Sequence, residues 1–248
     1  ADRRWLGVVL LLSLLLAAGC ASRATLPHGG IAAAVENLKR HPPKDDSFRF
    51  IVLGDSQFMD DAIFDRVIAG AAGRSPAFVL QVGDQVPTER TQTAEDVRAQ
   101  WRHHLGQTRR LNAPYFPIGG NHDLTYSPHD PAVWGDVWGP TYYSFDYGNC
   151  HFIVLNTEDT GAVRGTLGEK QTEWLEADLA ATKAAHVFVF FHKPFWQNGG
   201  GWDSVHELFR KYPVRAVFAG HIHVYTHEVR DGILHHSKGT TDTPYRLD

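Results

Sequence analysis

Sulfur-containing residues and basic segments are scarce in this chain. Its 248 residues include two cysteines, Cys20 and Cys150, and one methionine. A disulfide-rich scaffold is therefore excluded, and stability must come from a hydrophobic core. No run of lysine or arginine stands out, and the formal net charge is −4. Because nucleic-acid-binding proteins usually present a basic face, we expect no nucleic-acid partner.

Histidine, by contrast, is abundant. Hydrophobic residues make up 43% of the chain and charged residues 21%, which is ordinary for a globular protein with one well-buried core. We find no internal repeat and no low-complexity tract. The count of fifteen histidines is unusual, and such an excess favours metal ligation or proton transfer.

The first twenty residues have the features of a targeting segment. Arg3 and Arg4 form a short positive region, and the apolar stretch Trp5–Ala18 is too short for a typical membrane span. The segment Leu16–Cys20 resembles a bacterial lipobox, which implies cleavage before Cys20 and lipidation of its thiol. A plain secretory signal with an incidental cysteine and a retained membrane anchor are the alternatives.

Three parts are predicted along the chain. Residues 1–19 are a lipoprotein signal peptide, residues 20–46 are a tether, and residues 47–248 are one globular domain. The tether is punctuated by proline and glycine, so that only Ile31–Lys39 is suited to a short helix. A lipid on Cys20 would place the protein in the bacterial cell envelope, attached to a membrane and facing the periplasm or the exterior.

The globular part alternates apolar runs with amphipathic stretches, and this pattern predicts an α/β fold with parallel strands. Two turns indicate hairpins in its second half: Gly148-Asn149, where glycine first suits a type II′ turn, and Asp231-Gly232. We expect two sheets packed against each other. The predicted strands are Phe48–Leu53, Phe78–Val82, Tyr115–Ile118, Tyr142–Tyr147, His151–Asn156, Val187–Phe191 and Val214–Ala219, and the main helices are Ala62–Ala71, Thr93–Leu105, Glu169–Ala181 and Ser204–Tyr212.

Polar side chains follow five of the predicted strands. Because ligands of open α/β sheets bind beyond the carboxyl ends of the strands, these side chains are expected to meet at one rim. Carboxylates, imidazoles and an amide oxygen suit zinc, manganese or iron better than calcium, and one carboxylate can bridge two such ions. The residues are Asp55, Asp84, Asn121, His122, Asp123, His192, His221 and His223.

In these segments the chain resembles the calcineurin-like metallophosphoesterase superfamily. The resemblance covers about residues 48–236 and implies a four-layer α/β/β/α sandwich with metal-dependent ester hydrolysis. Tyr142–Gly148 and Gln171–Leu175 resemble its purple-acid-phosphatase-like branch. The motifs that carry the resemblance are Gly54-Asp55, Gly83-Asp84, Gly120-Asn121-His122-Asp123, His192 and Gly220-His221-Ile222-His223.

The resemblance also implies a role for each of these residues. His122, oriented by Asp123, would steady the phosphate and protonate the leaving oxygen. The nucleophile would be a metal-bound hydroxide, and no covalent intermediate would form. The implied metal ligands are Asp84 as the bridge, Asp55 and His223 for the first ion, and Asn121, His192 and His221 for the second.

One motif departs from the family pattern. The first motif is commonly Asp-x-His, but here it is Asp55-Ser56-Gln57. Gln57 either ligates through its amide oxygen or lies just outside the ligands, and in both cases the first ion loses an imidazole. We therefore expect weaker affinity there and a shift toward harder ions such as manganese. Redox-active iron is not expected, because Pro87 stands where purple acid phosphatases have a tyrosine.

The remaining histidines carry less specific patterns. Neighbouring side chains in regular structure point in different directions. We therefore interpret the pairs His103-His104 and His235-His236 as surface residues or as neighbours of the ligands. His151 lies in a predicted strand and is expected to be packed.

Two aromatic segments are candidate walls of the site. Trp196 and Trp202 flank a glycine run soon after His192, and we expect them to contact substrate. The segment Leu124–Pro140 either forms a second wall or packs in the core. Its aromatic residues are Tyr126, Trp134 and Trp138.

Together these observations predict an envelope-anchored hydrolase of small phosphate mono- or diesters that uses two divalent ions, manganese, zinc or iron. The alternative is a non-catalytic lipoprotein that binds a phosphorylated ligand in the same pocket. The His122-Asp123 pair speaks against the alternative, because binding alone needs no positioned proton donor.

Overall fold

The computed structural model describes residues 29–44, 47–159, 167–198 and 201–239. The predicted signal peptide, Cys20 and the first part of the tether lie outside the described residues. Within the described ranges, no helix combines the length and the apolar composition that crossing a membrane requires.

The elements are α1 (Gly30–Arg40), β1 (Phe50–Leu53), α2 (Asp61–Ala72), β2 (Phe78–Gln81), α3 (Ala94–Thr108), β3 (Tyr115–Pro117), α4 (Asn121–Leu124), α5 (Asp130–Val137), β4 (Tyr143–Tyr147), β5 (Cys150–Val154), α6 (Glu169–Ala181), β6 (His186–Phe190), α7 (Phe195–Asn198), α8 (Trp202–Phe209), β7 (Val214–Ala219), β8 (Thr226–Arg230) and β9 (Ile233–Ser237).

Two sheets divide the chain between its first and second halves. The first sheet has the order β1-β2-β3 and is parallel throughout, with α2 and α3 as its crossovers. The second has the order β4-β5-β6-β7-β9-β8 and is mixed, because the hairpins β4-β5 and β8-β9 are antiparallel at its two edges. The predicted parallel pairing in the first half is confirmed.

Phenylalanine rings form the core between the two sheets. Phe78 on β2 meets Phe152 on β5 at a centroid distance of 5.0 Å, and Phe50 on β1 meets Phe188 on β6 at 5.6 Å. Successive strand residues point to opposite faces, so Ile153 on β5 packs instead in a second cluster that includes residues of α6 and α8. Helices, two sheets and helices thus form the four expected layers.

Both predicted hairpin turns are present. Gly148 has φ 61° and Asn149 is not among the described non-glycine residues with positive φ, which is the pattern of a type II′ turn. Asp231 and Gly232 have φ 51° and 80°, as a type I′ turn requires.

Helix α1 packs on the core, although residues 20–46 are predicted as a tether. Ile31, Ala34 and Leu38 are buried on one face at helical spacing. The Ile31 N–H donates to the Trp138 carbonyl over 3.2 Å. The folded unit therefore includes residue 30, and the predicted boundary at residue 47 comes too late.

Two of the paired histidines are wrongly predicted as surface residues or ligand neighbours. His103 is exposed and lies 2.8 Å from Asp61, but His104 is buried in the α3 face and stacks on Phe64. His235 is fully buried, with ring contacts to Trp196, Trp202 and His206. Burial lowers the pKa of His104 to about 3, so this histidine is neutral.

Most of the candidate wall aromatics are core residues. Trp196 and Trp202 are buried around Phe191 and His235, so the expected substrate contact is wrong for both. Trp134 and Trp138 are buried against Trp101. Tyr126 alone of the aromatics in Leu124–Pro140 is exposed.

Candidate metal centre

The carboxyl ends of β1, β2, β6 and β7 bring most of the predicted ligands together. Donor atoms of Asp84, His192 and His221 lie within 4.8 Å of one another, and those of Asp55, Asp84 and His223 form a second group of the same size. Asp84 belongs to both groups. This is the arrangement that the resemblance implies for a carboxylate between two ions, while ligation itself stays a prediction.

Asn121 completes the group formed by Asp84, His192 and His221. It is the first residue of α4, directly after the loop that follows β3. Its Oδ1 lies 3.0 Å from Nε2 of His192, and Nδ1 of His221 lies 3.2 Å from the same nitrogen. The three side chains therefore converge on one point next to Asp84.

Gln57 contacts the carboxylate of Asp84, the predicted bridge. Its side-chain amide donates to Oδ2 of Asp84 over 3.1 Å, and the same nitrogen lies 3.5 Å from Nε2 of His223. Gln57 is buried. Of the two roles left open by the sequence, this hydrogen bond to Asp84 favours the one just outside the ligands, and ligation by Gln57 stays a prediction.

The predicted contact between His122 and Asp123 is replaced by two other interactions. The buried Asp123 carboxylate accepts backbone N–H groups of Gly120 and Gln85, at 2.8 and 2.9 Å. Nδ1 of His122 faces the Thr88 carbonyl at 3.3 Å. Adjacent residues of the short helix α4 point in different directions, so Asp123 holds the loops while Thr88 orients the imidazole.

Three predicted ligands have left-handed backbone. Asp84, His221 and His223 have φ of 48°, 71° and 54°. Residues other than glycine rarely adopt this region, and the cost is of order 1–3 kcal/mol each when the surroundings enforce it. Such strain clusters at functional sites, and here it aims three side chains at one point.

Two motif glycines are required by close approach to the carboxylates. A Cβ on Gly120 would overlap the Asp84 carboxylate, and a Cβ on Gly220 would overlap that of Asp55. No other residue type therefore fits without displacing a predicted ligand.

The buried carboxylates of the centre are stabilised by positive charge next to them. Burial raises the pKa of Asp84, but the charge and hydrogen bond of His192 outweigh it and hold that pKa at about 2. Burial likewise lowers the pKa of His192, and the charges of Asp84 and Asp55 overcome it and raise the pKa to about 10. Burial and the neighbouring His192 charge lower the pKa of His221 to about 4.

The donor set fits divalent ions. Two buried carboxylates next to imidazole and amide donors give mixed oxygen and nitrogen ligation, and bound cations would supply the charge that the His192 proton otherwise provides. Oxygen donors Asp55, Asp84 and Asn121 all follow strands of the first sheet. The imidazoles of His192, His221 and His223 all follow strands of the second.

A buried hydrogen-bond chain supports the loop that carries Asp55. The Gln81 side chain donates to the Gly54 carbonyl at 3.0 Å and to Ser56 Oγ at 2.8 Å. Tyr115 Oη donates to Gln81 Oε1 at 2.7 Å, and Nε2 of His104 lies 3.0 Å from Tyr115 Oη. Every link is within hydrogen-bond distance, so strands β2 and β3 hold this loop from behind.

Lys193 and Phe58 lie near the centre but are not among the predicted site residues, and Tyr126 is predicted only as a candidate wall residue. Lys193, directly after His192, forms an ion pair with the buried carboxylate of Glu158 at 2.5 Å. Phe58 and Tyr126 contact the His122 ring. The position of Lys193 next to a predicted ligand is a signal that was available, whereas the Phe58 contact depends on tertiary packing.

Comparison with known sequences supports the resemblance. The calcineurin-like phosphoesterase family profile matches residues 28–225. Serine/threonine-protein phosphatase CPPED1 of Danio rerio is 29% identical over 180 residues, which is 64% of this chain and 57% of that protein. A 3′,5′-cyclic-nucleotide phosphodiesterase of Nostoc is 30% identical over 156 residues, covering 59% and 56%. The chain thus spans about half the length of the curated relatives it matches.

Solved structures share the fold. A dimetal phosphatase from Danio rerio has a TM-score of 0.62 at 16% identity and covers 81% of this chain and 90% of its own. GAP50, the anchor in the inner membrane complex of Plasmodium, has a TM-score of 0.57 at 15% identity, covering 79% and 72%. The predicted fold class is confirmed, while the purple-acid-phosphatase-like branch stays a prediction. Because the family profile matches most of its length, this chain belongs to the calcineurin-like phosphoesterase family.

Proposed function

We propose that this protein is a metal-dependent hydrolase of phosphate mono- or diesters. The observation that carries the proposal is the Asp84 carboxylate, which is shared by two groups of potential metal ligands. Two divalent cations held there by Asp55, Gln57-supported Asp84, Asn121 and the three histidines would neutralise phosphoryl charge and activate a water molecule. The side chains around them position the ester and move one proton.

His122 is suited to protonate the leaving oxygen. A carbonyl oxygen only accepts hydrogen bonds, so the contact with Thr88 places a proton on Nδ1 of His122. Nε2 on the opposite side of the ring is then the atom that donates when the imidazole is charged. The backbone N–H of His122 also donates to Oδ1 of Asp84 at 2.9 Å, which fixes the residue next to the proposed metal bridge.

The relatives support phosphate-ester chemistry and leave the ester type open. One relative is named as a protein phosphatase and another as a cyclic-nucleotide phosphodiesterase, so they differ between monoester and diester. We therefore propose the reaction that they share, hydrolysis of a phosphate ester, for this chain.

Metal analysis combined with paired model substrates tests the proposal. Purified protein is loaded with manganese or zinc, and turnover of 4-nitrophenyl phosphate and of bis(4-nitrophenyl) phosphate is measured. Asp84→Asn is expected to lower kcat/KM by more than about a hundredfold, because both ions lose a ligand. Asp136→Asn is the control, since this half-exposed carboxylate pairs only with Arg98 at the surface. Wild-type rates in Asp84→Asn would exclude the bridging role.

The same experiment decides the alternative of a non-catalytic phosphate-binding protein. The Asp123 carboxylate accepts backbone N–H groups, and Thr88 is the residue that holds the His122 ring as a positioned proton donor, which binding alone does not need. Tight binding of inorganic phosphate without turnover under any of the metals would favour the alternative.

We also propose that the protein is anchored in a bacterial cell envelope through a lipid on Cys20. Support comes from the residues Leu16–Cys20 alone. Expression of the full chain in a bacterium followed by membrane fractionation tests this. Cys20→Ala is expected to leave the membrane fraction, and Cys150→Ala is the control. An unchanged distribution of Cys20→Ala would contradict lipid anchoring.

A further inference from the structure

Exposed apolar side chains gather around the proposed metal centre. Large hydrophobic residues are usually covered in a folded chain, and a local group of exposed ones marks a binding surface more often than isolated ones do. Of the five large hydrophobic residues exposed in the described part of the chain, four come within four positions after Gln57, His122 or His223, and the fifth lies on β8. They are Phe58, Tyr126, Val224 and Tyr225, with Val229 as the fifth.

Two of these residues flank the His122 imidazole. Tyr126 stacks on it with a centroid distance of 3.9 Å and an interplanar angle of 21°. Phe58 meets it edge to face at 5.1 Å and 85°. The His122 ring is buried, whereas Phe58 is 69% exposed and Tyr126 is 41% exposed. Both flanking rings therefore keep free surface directly beside the proposed proton donor.

Val224 and Tyr225 extend this surface. Gln57 lies 3.5 Å from His223, so the segment containing Phe58 adjoins the segment that contains Val224 and Tyr225. We call Phe58, Tyr126, Val224 and Tyr225 the apolar rim.

The position of a leaving group follows from this geometry, given the proposed function. In hydrolysis a water oxygen forms a new P–O bond and loses a proton to solvent. The ester P–O bond breaks, and the leaving oxygen takes a proton from Nε2 of His122. Since that oxygen must lie next to His122, the group attached to it must lie against the rings that flank His122.

We propose that Phe58 and Tyr126 are specificity-determining residues that favour esters whose leaving group is a flat aromatic or heteroaromatic ring. Such a ring covers the exposed faces of Phe58 and Tyr126, with aromatic contact added to the burial of apolar surface. A small alkyl leaving group reaches little of this surface. This inference rests on the proposed function, in which His122 protonates the leaving oxygen.

Phe58→Ala tests the inference with phenyl and ethyl phosphates of the same ester type, in the metal-loaded protein. The expected result is a fall of about tenfold in kcat/KM for the phenyl ester and less than about twofold for the ethyl ester. Comparing each ester with itself in the two proteins removes the difference in leaving-group reactivity. Phe58→Trp is expected to keep the phenyl preference, and Val229→Ala, an exposed apolar residue on β8, is expected to change neither ester.

An equal fall for both esters, or an unchanged phenyl ester, would overturn the inference while leaving the proposed function intact. A wild-type protein that hydrolyses neither ester would overturn the proposed function. In that case the Kd values of phenylphosphonate and methylphosphonate, measured by calorimetry, test the contribution of Phe58 to ligand preference without turnover. Phe58→Ala is expected to weaken only the phenyl compound, by about tenfold, and equal weakening of both would overturn the inference.

Discussion

Gln57 occupies the position where the family pattern has a histidine ligand, and its side-chain amide N–H donates a hydrogen bond to Asp84. An N–H donor on a bridging carboxylate occupies a lone pair that a cation would otherwise use, whereas an imidazole adds a donor nitrogen. The group formed by Asp55, Asp84 and His223 therefore has one nitrogen donor, compared with two in the group formed by Asp84, His192 and His221.

Gln57→His is expected to tighten the ion held by Asp55 and His223. The added imidazole supplies a further ligand, and we expect its Kd for zinc to fall about tenfold or more. Titration calorimetry that resolves two binding events measures this, and the event assigned to His192 and His221 serves as the internal control. Unchanged binding at both sites would show that residue 57 does not face the first ion.

For individual residues, the sequence predicted which side chains lie at the proposed centre better than it predicted their hydrogen-bond partners. The candidate ligands lie close together, as predicted, because each follows a strand, which is a property of local pattern and of sheet geometry. The partner of His122 was wrong, because Thr88 is distant in sequence and acts through its backbone carbonyl. A backbone acceptor has no residue-type signature, so no motif indicates it.

Strands β2 and β3 carry the side chains that hold the Asp55 loop in position. Gln81 on β2 is the only link in the hydrogen-bond chain described above that reaches Gly54 and Ser56 directly, and Tyr115 on β3 stabilises Gln81. The position of the Asp55 loop thus depends on side chains that never approach the substrate.

Gln81→Leu is expected to weaken metal binding by Asp55 and to lower the free energy of unfolding by about 1–3 kcal/mol, because the Tyr115 hydroxyl is left buried without its acceptor. Tyr115→Phe is the matched variant, since it removes the two hydrogen bonds of the Tyr115 hydroxyl but keeps both Gln81 contacts to the loop. We expect a similar loss of stability with a smaller loss of metal affinity. Equal losses of metal affinity in the two variants would contradict the assignment to Gln81.

His151 on β5 connects this strand with β4 and with helix α6. On β5, its Nδ1 lies 2.6 Å from Asp146 on β4 and its Nε2 lies 2.8 Å from Asp178 on α6. Burial lowers the pKa of His151, but hydrogen bonds to Asp178 and Asp146 outweigh this, and the net pKa is raised above 6.5. The charged ring therefore contributes stability that is fully present below about pH 6.5 and is lost as the pH rises through the folded-state pKa.

His151→Gln is expected to flatten this part of the pH dependence. Between pH 6 and pH 8.5 the wild type should lose about 1 kcal/mol more unfolding free energy than the variant does. Urea unfolding at several pH values measures the difference. His103→Gln provides the control, because His103 pairs with Asp61 at the surface and is largely exposed. Parallel pH profiles in wild type and His151→Gln would contradict the prediction.

The order of strands and helices was predictable, but the membership of the core was not. Alternating apolar residues and turn glycines fixed the hairpins, since those depend on local backbone geometry. Helix α1 has the same apolar spacing as a core helix, yet proline and glycine around it favoured a tether. The burial of Ile31, Ala34 and Leu38 and the contact with Trp138 show that it belongs to the fold.

For the whole molecule, the proposed metal centre lies on the seam between the two sheets. Asp55 and Asp84 follow β1 and β2, while His192 and His221 follow β6 and β7. An ion bound by both sets therefore connects the sheets at one end of the phenylalanine core.

Metal removal is expected to lower the thermal stability of the protein. At an ion concentration of about a thousand times Kd, binding adds about 4 kcal/mol to the folded state, provided that the unfolded chain does not bind the ion. Calorimetric unfolding before and after chelation measures the change in Tm, and Asp84→Asn should show little response to the chelator. A Tm that is the same with and without chelator in the wild type would contradict a metal link between the sheets.

The division of donors between the sheets has a further consequence for metal choice. The predicted ligands of the first half, Asp55, Asp84 and Asn121, are all oxygen donors, and on their own they would select hard cations such as magnesium or manganese. Those of the second half are all imidazoles and would select borderline cations such as zinc. If the chain were split near residue 140 into two polypeptides, each would have its own preference, and only their reassembly would restore the preference of the intact protein. The metal selectivity of the proposed centre would therefore depend on both sheets being packed together.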